Sequence, residues 1–239
     1  LAKILEKHDI LPDMVAGHSL GEITANYLAG VFDLKTALEI IKMRGMFMAE
    51  SYPSEKSGMA AVIGLKSEEI ASVLDDFKNV VIANYNSYEQ TVISGEKEFV
   101  LAASEKLKEA GAKKVIPLNV SGAFHSFAME KASEKFAKNL ENFSFEKADI
   151  PVVLNRTAEF ESDEKNLKLN LSKQIVSPVR WVESVEKLSA KVDIIVECGP
   201  GKVLTGLIKR IVPDQTVYNV SDLQTLDTFL EKVSEVSCV

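Results

Sequence analysis

Met14-Val15-Ala16-Gly17-His18-Ser19-Leu20-Gly21-Glu22-Ile23 is the stretch on which the reading of this chain turns. Met14 to Ala16 is a short apolar run that stops at Gly17, the pattern of a buried strand. Helical spacing resumes from Leu20 to Leu28, with Gly30 as its stop. Between strand and helix sits a G-x-S-x-G sequence, Gly17 to Gly21. That placement is what a nucleophile elbow requires. Two glycines permit a tight turn, and the serine hydroxyl then stands at a helix head, where the dipole and the next backbone N–H favour a developing oxyanion. The same residues allow a second reading, because Ser19-x-x-Glu22 is also a capping box, in which Ser19 and Glu22 only satisfy the helix end.

A serine nucleophile needs a base, and the sequence offers three histidines. His8 ends the first helical segment and reads as a surface residue. His18 is adjacent to Ser19, so its side chain points away from the hydroxyl, and it reads as structural or as a pocket wall. By elimination the base is His125, in Gly122-Ala123-Phe124-His125-Ser126. Arg44 has Met43, Gly45 and Met46 as neighbours on an apolar helix; it can hold a carboxylate bidentately if it faces a cleft, though spacing alone does not decide this. Gly199-Pro200-Gly201 lacks the third glycine of a dinucleotide loop, that position being Leu204, and reads as a structural turn. Cys198 beside it reads as a small buried residue.

Outward from the elbow, the pattern gives a helix over Leu1 to Lys7 and an Asp33-capped helix from Leu34 to Glu50, apolar at Ala37, Leu38, Ile41 and Phe47. Pro53 opens a linker. Residues 55–120 then read as strand Gly58–Leu65, helix Ser67–Phe77, strands Val80–Asn84 and Gln90–Ser94, helix Lys97–Ala110 and strand Lys113–Val120. That order is the split βαβ pattern of a ferredoxin-like module. Beyond it come a helix at Glu130–Phe143, a strand at Val152–Asn155, a polar loop around Glu159–Asn166, and helices at Lys168–Ile175 and Val182–Ala190. A strand at Ile194–Glu197, a strand–helix unit across Gly199–Gly201 and a helix at Thr225–Val233 close the chain. Alternating strands and helices predict an α/β fold: a large subdomain (1–54 and 121–239) with a mostly parallel sheet, interrupted by the small βαββαβ module at 55–120.

Composition narrows the function classes. The 239 residues are 46% hydrophobic, enough for a real core. Thirty-five acidic against 28 basic residues give a net charge of −7 with no basic block, which argues against nucleic acid as partner. The apolar run Met59–Leu65 is too short to cross a bilayer. Cys198 and Cys238 cannot build a disulfide framework or a zinc site, and a reducing cytoplasm is expected. The sequence begins at Leu1 inside a helical pattern, which reads as a truncation.

Five motifs in order, Gly-His-Ser-Leu-Gly-Glu (17–22) with Arg44 downstream, Gly-Ala-Phe-His-Ser (122–126), Ser-Pro-Val-Arg-Trp (177–181) and Glu-Cys-Gly-Pro-Gly-Lys-Val-Leu-Thr-Gly-Leu (197–207), resemble the malonyl-CoA:acyl carrier protein transacylase family of bacterial fatty-acid synthesis. The resemblance covers the whole chain. It implies an α/β-hydrolase-like large subdomain carrying the ferredoxin-like one. It also implies Ser19 as the acylated nucleophile, His125 as its base, Arg44 as the grip on the malonate carboxylate, the N–H of Leu20 as an oxyanion donor and the carbonyl of Gln174 as the group orienting the histidine. Asn84 and Asn86 become candidate cleft residues, and the implied reaction is ping-pong, with a CoA thioester as substrate and no metal or bound redox cofactor. The family's opening strand and Gly-Gln-Gly loop have no counterpart here, so the chain is expected to be nearly inactive alone. Carrier-protein docking is expected on Lys202, Lys209 and Arg210, or on Lys113 and Lys114. The rivals are a serine esterase or thioesterase, an acyltransferase domain of a polyketide synthase, disfavoured by the compact motifs and the ending at Val239, and an incompetent fragment that only binds a carrier protein.

Overall fold

The computed structural model describes residues 1–236; Cys238 lies outside the described residues. In chain order the elements are α1 (Ala2–Glu6), β1 (Val15–Ala16), α2 (Gly21–Leu28), α3 (Leu34–Ser51), β2 (Ser57–Ile63), α4 (Ser67–Leu74), β3 (Val80–Ser87), β4 (Gln90–Glu96) and α5 (Lys97–Glu109). They continue with β5 (Lys114–Pro117), α6 (Glu130–Leu140), β6 (Val152–Val153), β7 (Phe160–Glu161), α7 (Glu164–Gln174), α8 (Trp181–Ser189), β8 (Ile194–Cys198), α9 (Val203–Ile211), β9 (Thr216–Val220) and α10 (Leu223–Val236). This mixed α/β chain forms two compact units, residues 14–184 and residues 1–13 with 185–239.

Within residues 14–184, β1 pairs in parallel with β6 (Val15 with Val152, Ala16 with Val153), and β7 adds antiparallel to β6. Carried two residues further, that register sets Asn155 beside His18, at the carboxyl ends of adjacent parallel strands. In open α/β sheets that edge is where sites form. The helices around this sheet present apolar stripes at i, i+4 and i+8. On α6 these are Ala132, Phe136 and Leu140, which join Ile23, Ile40, Val152, Leu167 and Leu171 in one buried cluster. Gly30, at φ +79°, ends α2, and a Cβ there would meet the Asp149 carboxylate at 2.3 Å.

A second sheet, order β3-β4-β2-β5 and antiparallel throughout, carries α4 and α5. Val62, Ile70, Ile93, Val100 and Leu107 fill one face, and Met59, Ala61, Ala83 and Val92 fill the other. In residues 1–13 and 185–239, β8 and β9 pair in parallel over Ile194–Cys198 and Thr216–Val220, with Leu5, Val220, Leu226 and Phe229 as the core.

The expected element order holds, with local corrections. Residues 159–166 are not simply a polar loop: β7 lies within them, and α7 starts at Glu164. Its cap is Asp163, whose carboxylate accepts from the N–H groups of Lys165 and Asn166, both at 3.0 Å. The strand β9 was not anticipated. The predicted strand Lys113–Val120 is ordered as β5 only to Pro117, and α6 stops at Leu140. On α3 the buried stripe is Ala37, Ile40, Arg44 and Met48, while Leu38 is 57% exposed. Cys198 is exposed rather than buried, because it ends β8 where the Gly199–Gly201 turn leaves the sheet.

If α6 anchors the core, Phe136→Ala should lower unfolding stability by about 3–5 kcal/mol, whereas Leu38→Ala should change it by no more than about 0.5 kcal/mol. Urea unfolding followed by circular dichroism measures both; equal effects would contradict the packing.

Candidate active site

Ser19 stands at the turn from β1 into α2 with φ +51°, a left-handed conformation that costs an ordinary residue on the order of 1 kcal/mol. Gly17 makes the turn possible, because a Cβ there would lie 2.0 Å from the backbone of Gly21. The turn is held from β6. Asn155 accepts from the Ser19 N–H through Oδ1 (2.6 Å) and donates through Nδ2 to the Gly17 carbonyl (2.6 Å). Its own N–H donates to the Glu22 carboxylate at 2.7 Å.

These bonds decide between the two readings of the motif. Helix α2 has no side-chain cap, Ser19 Oγ faces His125, and Glu22 turns to Asn155 instead of back to the helix start. The arrangement is an elbow and not a capping box. Glu22 is fully buried, and burial pushes its pKa up to about 7 against the opposing pull of the Asn155 N–H, Gln174 and the nearby Arg44 and Arg156.

His125 Nε2 lies 2.8 Å from Ser19 Oγ. Its Nδ1 lies 3.0 Å from the Gln174 carbonyl and 2.9 Å from the Ser177 carbonyl. Two carbonyl acceptors require a proton on Nδ1, so in the neutral ring Nε2 is the free base facing the hydroxyl. Gln174 is the last residue of α7 and Ser177 lies in the turn just beyond it, so one of the helix's terminal carbonyls, at the negative dipole end, is used here. His125 is itself at φ +57°, fixed by its N–H to the Ile175 carbonyl at 3.1 Å. Burial, and secondarily the charge of Arg44, lowers its pKa to about 4.

Arg44 reaches the same place from α3. Its Nη2 donates to Ser19 Oγ at 3.0 Å and to Gln174 Oε1 at 3.1 Å, and burial lowers its pKa to about 10. Gln174 Nε2 donates to the Ser19 carbonyl at 2.9 Å. Ser19, His125, Arg44 and Gln174, expected from sequence, therefore meet at one point. The Leu20 N–H follows Ser19 at the helix start and has no acceptor among the described residues. His18 turns away from Ser19: its Nε2 pairs with Asn86 Oδ1 at 2.9 Å and its ring stands edge-on to Trp181. Asn84 is buried on β3 beside Val179.

Asn155, Ser177 and the buried role of Glu22 were not singled out from sequence. A polar residue closing the apolar run Val152-Val153-Leu154 was the available signal for Asn155. Lys202, Lys209 and Arg210 lie in the other unit, on or next to α9, and the two lysines are exposed. Lys113 faces Glu89 at 3.8 Å. The Gly199–Gly201 segment is a turn whose following helix start is already occupied: the Glu197 carboxylate accepts from the N–H groups of Leu204 (3.0 Å) and Thr205 (2.8 Å). Among the described residues no helix is long and apolar enough to cross a membrane.

A family model described as acyl transferase domain matches residues 2–227. Malonyl CoA-acyl carrier protein transacylase of Bacillus subtilis (strain 168) is 40% identical over 240 residues, covering 97% of this chain and 76% of the relative. The chain belongs to this family of acyltransferases. A crystal structure of the acyl carrier protein S-malonyltransferase of Vibrio cholerae superposes with a TM-score of 0.92 at 40% identity, covering 95% of this chain and 76% of that one. A structure of a type II polyketide acyl carrier protein in complex with its malonyl-transacylase gives 0.93 at 38% identity, covering 96% and 76%. In this acyltransferase the elbow serine is thus joined to a buried histidine and a buried arginine.

Because His125 stays neutral down to about pH 4, the rate of Ser19 modification by a fluorophosphonate should be lost only as pH falls through that value. Glu22→Gln, which removes the neighbouring group titrating near neutrality, should leave that limb in place. An acid limb near pH 6.5, the ordinary histidine value, in both proteins would contradict the buried-base geometry.

Proposed function

We propose that this acyltransferase moves a malonyl group from malonyl-CoA to the phosphopantetheine thiol of acyl carrier protein, supplying extender units for fatty-acid synthesis. The observation that carries this reading is the buried guanidinium of Arg44 bonded directly to Ser19 Oγ. An esterase elbow has no use for a cation there, whereas an acyl group ending in a free carboxylate needs one.

The reaction follows from the contacts. His125 Nε2 takes the Ser19 hydroxyl proton as Oγ attacks the thioester carbon, and the new oxyanion accepts from the Leu20 N–H. The tetrahedral intermediate collapses, the C–S bond breaks, and the CoA sulfur leaves with the proton from His125. The carrier thiol then gives its proton to His125 and attacks the malonyl-serine ester, and Ser19 Oγ recovers the proton as the acyl group departs. Arg44 pairs with the malonyl carboxylate throughout, Gln174 and Ser177 hold the imidazole by their carbonyls, and His18 with Asn86 forms the cleft wall. The CoA thioester is a substrate, and no further cofactor is assigned a step.

In the same reading, residues 55–120 are a ferredoxin-like module inserted in an α/β-hydrolase-like subdomain formed by 1–54 and 121–239; the β2-α4-β3-β4-α5-β5 order and the sheet order β3-β4-β2-β5 support it. Lys202, Lys209 and Arg210 are the proposed docking cations for an acidic carrier, and the compartment is the cytoplasm.

Intact-mass measurement after incubation with malonyl-CoA should show one malonyl addition, lost in Ser19→Ala. Arg44→Ala should cost malonyl transfer about 2–5 kcal/mol while sparing acetyl transfer. Equal losses for both acyl groups, or release of the acyl group to water in preference to a thiol carrier, would overturn the assignment.

A further inference from the structure

Gln174 is 1% exposed, and its side-chain amide is hydrogen-bonded to Arg44 and Ser19, with Glu22 as a further partner. Oε1 accepts from Arg44 Nη2, Nε2 donates to the Ser19 carbonyl, and the main-chain carbonyl separately accepts from His125 Nδ1. The two side-chain bonds tie the guanidinium to the elbow it serves, independently of the histidine.

The need for such a tie follows from the other partners of Arg44. Its remaining side-chain hydrogen bond goes to Ser19 Oγ, the atom that becomes an ester oxygen in each turnover and so loses its hydroxyl geometry. Its Nε is buried with no hydrogen-bond partner among the described residues. Glu22 acts on it through charge, without a hydrogen bond. Among the described residues, Gln174 Oε1 is thus the one hydrogen-bond acceptor that stays unchanged whether Ser19 is free or acylated. A flexible arginine without it would lose its aim when the acyl-enzyme forms, when the acyl carboxylate has to be held for the second transfer.

We propose that the Gln174 side-chain amide is a positioning group for acyl selectivity: it keeps Arg44 aimed at the carboxylate of the acyl chain through both half-reactions. This rests on the malonyl-transfer reading above. It separates two functions of one residue, the main-chain carbonyl serving the base and the amide serving substrate choice.

The test compares wild type, Arg44→Ala, Gln174→Met and Gln174→Glu, each retaining the main-chain carbonyl at position 174. Methionine conserves volume and flexibility while removing the side-chain hydrogen bonds to Arg44, Ser19 and Glu22. Glutamate removes the donor to Ser19 and places an anion against Arg44 in competition with the acyl carboxylate. Three quantities are read: kcat/KM with malonyl-CoA, kcat/KM with acetyl-CoA, and the rate of Ser19 phosphonylation, which needs His125 but no acyl carboxylate. The malonyl-to-acetyl ratio should fall about tenfold or more in both Gln174 variants, the scale of losing one hydrogen bond to a charged group. Phosphonylation should fall by a smaller factor than malonyl transfer, because the main-chain carbonyl on His125 Nδ1 is retained. An unchanged ratio in both Gln174 variants, alongside a large fall in Arg44→Ala, would overturn this proposal alone. Parallel losses of all three rates would also overturn it, making Gln174 a support for the base. An unchanged ratio in Arg44→Ala would instead remove the carboxylate reading on which the proposal stands.

Discussion

The constraint on which the site depends is the grip of Asn155 on the turn between β1 and α2. A serine held at φ +51° relaxes unless its neighbours determine the backbone, and here one side chain binds both limbs of the turn, the Ser19 N–H and the Gly17 carbonyl. The parallel pairing of β1 with β6 brings Asn155 to that point, so the sheet register fixes Ser19. Gly17 lets the limbs approach, and Glu22 closes the arrangement by binding the Asn155 N–H from the first turn of α2.

From that fixed serine the electrostatics follow. Glu22, Arg44 and His125 share a region with little water, and in each burial is the leading influence, moving the pKa toward the neutral form. Arg44 and Glu22 lean on each other at a distance, while burial and the Arg44 charge keep His125 neutral and two carbonyls, in place of a carboxylate, point its ring. A histidine without an anionic partner is a weak base in its resting state. Its advantage here is availability, because at neutral pH nearly every molecule has Nε2 free to accept.

Much of this was legible in the sequence because the informative residues are local. The G-x-S-x-G turn is written in consecutive residues, and its strand-before, helix-after context separates it from chance occurrences. His125 could be reached by elimination among three histidines. Arg44 could be placed on a helix but not on a face: Leu38 drew the predicted stripe one position away from the buried Ala37–Ile40–Arg44–Met48 row. The sequence says little about what depends on register. Asn155 lies 136 residues from Ser19, and only the Val15–Val152 pairing makes them neighbours. Ser177 contributes a backbone carbonyl, which any residue can supply, so its identity carried no signal. Start of α7 at Glu164 was hidden inside a polar run because its cap, Asp163, looks like any loop aspartate until the helix is seen.

The central claim, that Asn155 holds the elbow in its reactive shape, is tested most directly by rapid-quench measurement of Ser19 malonylation in Asn155→Ala, normalised to folded protein by circular dichroism. The account predicts a first-turnover rate reduced about tenfold or more, the cost of removing a buried two-way hydrogen-bonding group, with malonyl-CoA affinity unchanged within about twofold. A first-turnover rate equal to that of the unmodified protein would show that the turn keeps its shape without Asn155 and would contradict the account.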